Sequence, residues 1–156
     1  MNWREVCAHP GLKNLPFKIE LNEHGQILMT PVKLYHSAYQ GRISILLYQH
    51  LKSGQILEEC AIRTRKGTKV ADVAWMSEAR FAPIRDEAEC PIAPEICVEV
   101  LSESNSRREM NEKRRLYFAA GASEVWVCDP LGGVRFHGPE GELERSALAP
   151  DFPVQI

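Results

Sequence analysis

Three charged residues stand where charge is costly, and their types point to metal-assisted chemistry on a phosphate. Asp72 lies in KVADVAWM (residues 69–76), on the face it shares with Val70, Ala74 and Met76. Glu99 lies in EICVEVL (residues 95–101). There Ile96, Val98 and Val100 fall on one face and Cys97, Glu99 and Leu101 on the other. Carboxylates are depleted in apolar strands and expensive to bury, so each needs a cation, a metal or water. Lys113 sits near the centre of a helical stripe with Met110, Leu116, Tyr117 and Ala120, spaced at about 100° per residue. Such a stripe should face a sheet. Two carboxylates can hold Mg²⁺ or Mn²⁺, which take oxygen ligands and keep several waters. The metal acidifies a water and offsets phosphate charge. The lysine can orient or deprotonate the attacking water, or neutralise the phosphorane-like charge. A plainer reading makes Lys113 a snorkelling residue or a structural partner of Glu99.

The elements that must position these groups are readable around them. Residues 94–130 read as strand, helix, glycine stop, strand. The helix spans about 106–120, capped by Ser104 or Asn105 and ended by Gly121, and the second strand is Glu124 to Cys128. A βαβ unit makes those strands parallel. Upstream, Phe17 to Met29 alternates on both sides of a turn at Asn22 to Gly25, which predicts a hairpin. A helix follows, from Tyr35 or Ser37 to Lys52. Two strands, Gln55 to Arg63 and Lys69 to Met76, flank a Lys66-Gly67 turn. Residues 77–93 are polar, proline-bearing and aperiodic, hence a loop. Short strands at Val134 to His137, Leu143 to Ser146 and Phe152 to Ile156 close the chain. The order predicts an α/β protein, a mixed β-sheet with flanking helices. Residues 1–15 read as an N-terminal extension and 16–156 as one domain.

Composition narrows the function classes. The net charge of −2 gives no global pull toward nucleic acid or anionic membranes, so any DNA contact needs a local patch. The best patch is the hairpin tip Arg63, Arg65, Lys66 and Lys69, with Arg107 and Arg108 at the later helix start. Its plain alternative is a solvated turn. No apolar run approaches a membrane span, and the N-terminus lacks an apolar signal core. Five scattered cysteines without a CxxC pair argue against zinc and disulfide frameworks and suit a reducing cytoplasm. Two accessory candidates remain. Glu20 is otherwise an exposed strand residue, and His36 a cap or packing residue.

From about Phe17 to Ile156 the chain resembles the Uma-two family of restriction endonucleases, within the PD-(D/E)XK nuclease superfamily. The resemblance rests on KIELNEHGQILMTP with His36 behind it, VADVAWM, PEICVEVLSESN and EKRRLYFAAGASEVWVCDP. It implies a restriction-endonuclease-like core, a divalent metal and DNA as substrate. Asp72 matches the motif aspartate and Glu99 the motif glutamate, while Glu20 and His36 match family positions near the start. Ala71 replaces the motif proline, and Leu101 stands where the superfamily has its lysine. The family commonly has an apolar residue there and a lysine in the following helix, a position that Lys113 fits. The expectation is therefore a Mg²⁺-dependent DNA endonuclease, with Asp72, Glu99 and Lys113 catalytic. A homodimer would suit two-strand cutting. The alternative is a nuclease-like domain that binds nucleic acid or a protein partner without cleaving.

Overall fold

The computed structural model describes residues 1–156. Its elements are α1 (Trp3–Ala8), β1 (Phe17–Leu21), β2 (Ile27–Pro31), α2 (Leu34–His50), β3 (Gln55–Thr64), β4 (Gly67–Met76), α3 (Glu78–Phe81), β5 (Ile96–Val100), α4 (Arg107–Ala119), β6 (Glu124–Cys128), β7 (Val134–Gly138) and β8 (Gly141–Leu143). Strands β3 to β8 form one six-stranded sheet in chain order. All neighbours are antiparallel except β5 and β6, which are parallel and joined by α4. Strands β1 and β2 form a separate antiparallel hairpin.

The sheet is covered on both faces. On one, Ile43 and Leu47 of α2 pack with Val73, Trp75, Ile96, Val98 and Trp126. On the other, Tyr117 of α4 packs with Ala74, Met76, Cys97 and Val125. All five residues of β5 are buried, because this central strand has apolar layers above and below. The two faces read from the β5 sequence are those observed, with Ile96, Val98 and Val100 against α2 and Cys97 against α4. All five cysteines are free thiols, and Cys97 and Cys128 are core residues. No helix is long and apolar enough to cross a membrane.

Four local details differ from the sequence expectation. The N-cap of α4 is Ser106, which forms a capping box with Glu109. Asn105 is engaged elsewhere, since its side-chain oxygen accepts the Ser102 N–H at 2.8 Å. Residues 1–15 carry α1, capped by Asn2 and anchored by buried Val6; six helical residues are too few to show periodicity. Leu143 to Ser146 does not continue as a strand. The buried Glu124 carboxylate accepts from the Ser146 hydroxyl and the Ala147 and Leu148 N–H groups, and pulls this segment into a turn. Phe152 to Ile156 makes only one bridge, Gln155 to Gly133. Phe152 instead fills the core 4.6 Å from the Trp126 ring, and Pro153 has no N–H to extend a ladder.

One glycine sets the position of the β1–β2 hairpin. Gly67 has φ 85°, and a Cβ there would lie 2.4 Å from the Leu21 and Asn22 carbonyl oxygens. The hairpin backbone thus passes directly over the β3–β4 turn, an approach only glycine permits. That approach brings β1 against the first half of β4, next to Asp72.

Candidate active site

The β4–β5 ladder stops at Val73–Val98. Continuing that register places Asp72 opposite Glu99, with both side chains on the α4 face. The backbone hydrogen bond that would come next is replaced by a side chain: the Val100 N–H donates to Asp72 Oδ2 at 2.7 Å. Across the other edge of β4, Glu59 lies opposite Asp72 in register and adopts φ 52°. A left-handed glutamate in a strand is strained, and such strain gathers at functional sites.

Five charged side chains meet at this strand end. Lys113 reaches inward from α4, with its ammonium 2.7 Å from Glu20 Oε1 and 3.1 Å from Glu99 Oε1. Glu20 arrives on β1 and also accepts the Val70 N–H at 2.7 Å, which docks the hairpin on β4. Lys18, two residues earlier on the same face of β1, donates to Asp72 Oδ1 at 2.9 Å and Glu99 Oε2 at 3.2 Å. His36, in the first turn of α2, places Nε2 3.2 Å from Asp72 Oδ2, while its buried Nδ1 has no hydrogen-bond partner. The Tyr117 hydroxyl donates to Glu99 Oε1 at 2.6 Å.

The charges act on one another in a largely buried site. Burial opposes the Lys18 charge, but Glu99, Asp72 and Glu20 outweigh it and raise its pKa far above the ordinary lysine range. Burial likewise opposes the Asp72 charge, and Lys18 and His36 overcome it, so this carboxyl is held well below the usual range. Glu20 is also lowered, against its burial, by Lys113 and Lys18. Glu99 goes the other way. Its full burial, with Asp72 and Glu20 nearby, raises its pKa despite both lysines. Burial and then Glu99 push the Tyr117 phenol well up, which keeps it a hydrogen-bond donor.

The structure brings Asp72, Glu99, Lys113, Glu20 and His36 together. Glu20 is not the exposed strand residue of the plain reading, since its side chain is 15% exposed. Lys18 joins them without having stood out in the sequence. Its one signal is spacing: residues two apart on a strand share a face, so Lys18 accompanies Glu20 wherever that face goes. The cluster opens on a cleft of about 640 Å³ whose wall also carries Lys33, Lys66 and Lys69. The Lys69 ammonium donates to the Leu21 carbonyl at 2.9 Å, and Lys66 pairs with Glu112. Arg63 is held by Glu89 at 3.0 Å and does not line the cleft. Arg65 is exposed at the β3–β4 turn, and Arg107 and Arg108 are exposed on the first turn of α4.

The donor set suits a hard divalent cation. Asp72, Glu99 and Glu20 supply carboxylate oxygens, the ligands that Mg²⁺ and Mn²⁺ prefer. Three carboxylates against two ammonium groups leave one excess negative charge. The Asp72 and Glu99 oxygens already converge on a cation, the Lys18 ammonium. In this arrangement no three His, Cys, Asp or Glu side chains are grouped at coordination spacing.

A mixed six-stranded sheet with helices on both faces is a nuclease-like α/β fold. The family model described as "Uma2: Putative restriction endonuclease" matches residues 3–147, and the chain belongs to that family. The chain is also similar to the crystal structure of a "putative nuclease belonging to DUF820" from Anabaena variabilis ATCC 29413. That match has a TM-score of 0.75 at 19% identity and covers 99% of this chain and 94% of the other, a likeness of fold. No curated protein matches.

Proposed function

We propose that this protein is a Mg²⁺-dependent endonuclease that hydrolyses DNA phosphodiester bonds. The observation that carries the reading is the meeting of Asp72, Glu99, Glu20 and Lys113 at the wall of one cleft. Asp72 and Glu99 would hold the metal, with Glu20 beside them. When bound, the metal supplies an acidified water and positive charge for the phosphate. Lys113 pairs with Glu20 and Glu99 and lines the cleft, with one N–H left over. That donor orients the attacking water or donates to a phosphoryl oxygen as negative charge builds. The Tyr117 hydroxyl donates to Glu99 and the Val100 N–H to Asp72, which fixes one oxygen of each carboxylate.

Two observations favour the second reading, a nuclease-like domain that binds without cleaving. Leu101 occupies the superfamily's lysine position, and Lys18 already pairs with both motif carboxylates. Conversion of supercoiled plasmid by the purified protein decides between them. Nicked and linear products should appear with MgCl₂, vanish with excess chelator and return when Mg²⁺ is restored. A protein that shifts DNA in a gel yet never nicks it under any of these conditions is the non-cleaving domain.

The DNA interface has its own test. Arg65 and Arg108 are exposed and lie outside the carboxylate cluster. Converting both to alanine should weaken binding to every DNA sequence. For each phosphate that the double variant no longer neutralises, the dependence of log K on log salt should flatten by about 0.9. An unchanged slope in an electrophoretic or anisotropy titration removes these residues from the interface.

A further inference from the structure

The Lys18 ammonium stands at the point the carboxylates share. It is 2.9 Å from Asp72 Oδ1, 3.2 Å from Glu99 Oε2 and 4.0 Å from Glu20 Oε1. Lys113 pairs with Glu20 and Glu99 but makes no ion pair with Asp72. Lys18 alone therefore bridges the two carboxylates assigned above to the metal. A divalent cation and an ammonium cannot hold the same oxygens at contact distance, because the like charges would lie within a few ångströms at low dielectric.

We propose that Lys18 is a tethered competitor of the divalent cation. It pairs with Asp72 and Glu99 in the metal-free protein and leaves them for the cleft when the cation binds. This rests on the metal-dependent reading of the site given above.

Three features make the exchange feasible. Lys18 belongs to the β1–β2 hairpin, which is separate from the main sheet, so its motion disturbs no central strand. Its side chain lines the cleft, and a four-carbon stem can rotate into that space without moving backbone. The departing ammonium would join Lys33, Lys66 and Lys69 on the same wall. Release of Lys18 thus adds a cation to the surface that would meet a phosphate backbone, so metal loading and substrate binding favour each other.

The two lysines offset part of the charge of the three clustered carboxylates. Lys18 and Lys113 leave one excess negative charge, whereas Lys113 alone would leave two. Apparent metal affinity is then lowered by the fraction of molecules in which Lys18 is already out.

The test reads metal binding and lysine exposure in the wild-type protein and in Lys18→Met, using MnCl₂ as probe. Free Mn²⁺ measured by electron paramagnetic resonance gives the binding constant. Amine acylation followed by mass spectrometry gives the labelling rate of each lysine, with exposed Lys13 as reference. Saturating Mn²⁺ should speed Lys18 labelling about tenfold or more over the chelated protein and leave Lys13 unchanged. Lys18→Met should bind Mn²⁺ about 10- to 100-fold more tightly, as expected when a competent state populated at ~1–10% becomes the only state. If Lys18 stays protected in Mn²⁺-saturated protein, or Lys18→Met binds no more tightly than wild type, the competition is wrong while the metal site stands. If neither protein binds Mn²⁺, both this inference and the metal-dependent reading fall. Should Lys18→Met not fold, labelling of the wild-type protein decides alone.

Discussion

Lys113→Met should give a folded protein that still binds divalent cation but cleaves DNA at least ~100-fold more slowly, the scale of losing one transition-state donor. Methionine keeps most of the apolar stem among Met110, Leu116 and Tyr117. Only the ammonium is removed. Were Lys113 the sole partner of Glu99, its removal would strand a buried charge and cost about 3–5 kcal/mol. The structure shows otherwise. Glu99 keeps Lys18 at 3.2 Å and the Tyr117 hydroxyl at 2.6 Å, and Glu20 keeps the Val70 N–H. The stability loss should therefore fall below that range, while the activity loss does not. Urea unfolding and single-turnover cleavage separate the two. Wild-type cleavage by folded Lys113→Met would remove it from the chemistry and make Lys18 the next lysine to replace.

Asp72→Asn should lose cleavage to the level seen with chelator and should also cost stability in a pH-dependent way. The Asp72 carboxylate, 2% exposed, accepts from Lys18 and the Val100 N–H and lies 3.2 Å from His36 Nε2. Asparagine keeps the shape but brings an NH₂ group against donors and leaves Lys18 with one partner fewer. Breaking a buried charged pair this way costs about 3–5 kcal/mol near neutral pH. The pH dependence has a definite sign. The folded-state pKa of Asp72 is lowered, so its stabilisation is complete above the ordinary aspartate value of about 3.9 and is lost as pH falls below it. Asparagine has no such loss. The stability gap between the two proteins should be widest near pH 7 and narrow steadily below about pH 4, and urea midpoints measured across that range will show it. A gap that stays constant with pH would mean that Asp72 is not held as a buried carboxylate by its cationic neighbours.

How far the site is legible follows from where each residue lies. Asp72 and Glu99 stand out because a carboxylate in an apolar strand breaks the local pattern, and the break survives without knowledge of neighbours. Lys113 stands out for the same reason on a helical stripe. The parallel β5–β6 pair and its helix are equally readable, since strand, periodic helix and glycine stop are all local signals, although the cap itself falls on Ser106. Lys18 and Glu20 carry no such break. Alternating polar residues in a hairpin look solvated, and only docking turns their shared face inward. That docking depends on Gly67, whose missing side chain admits the β1–β2 backbone, and on the Val70 N–H, which Glu20 accepts. Both contacts join residues about fifty positions apart in the chain, and no pattern within either segment encodes them. The same limit explains the chain end. Phe152 reads as a strand residue, but the ring goes where the largest apolar contact lies, against Trp126 and Phe136. Residue type and local pattern are enough to show which side chains are expensive to bury. Which cations meet them is settled only by folding, because partner choice depends on three-dimensional distance, and Coulomb energy at low dielectric falls steeply over a few ångströms.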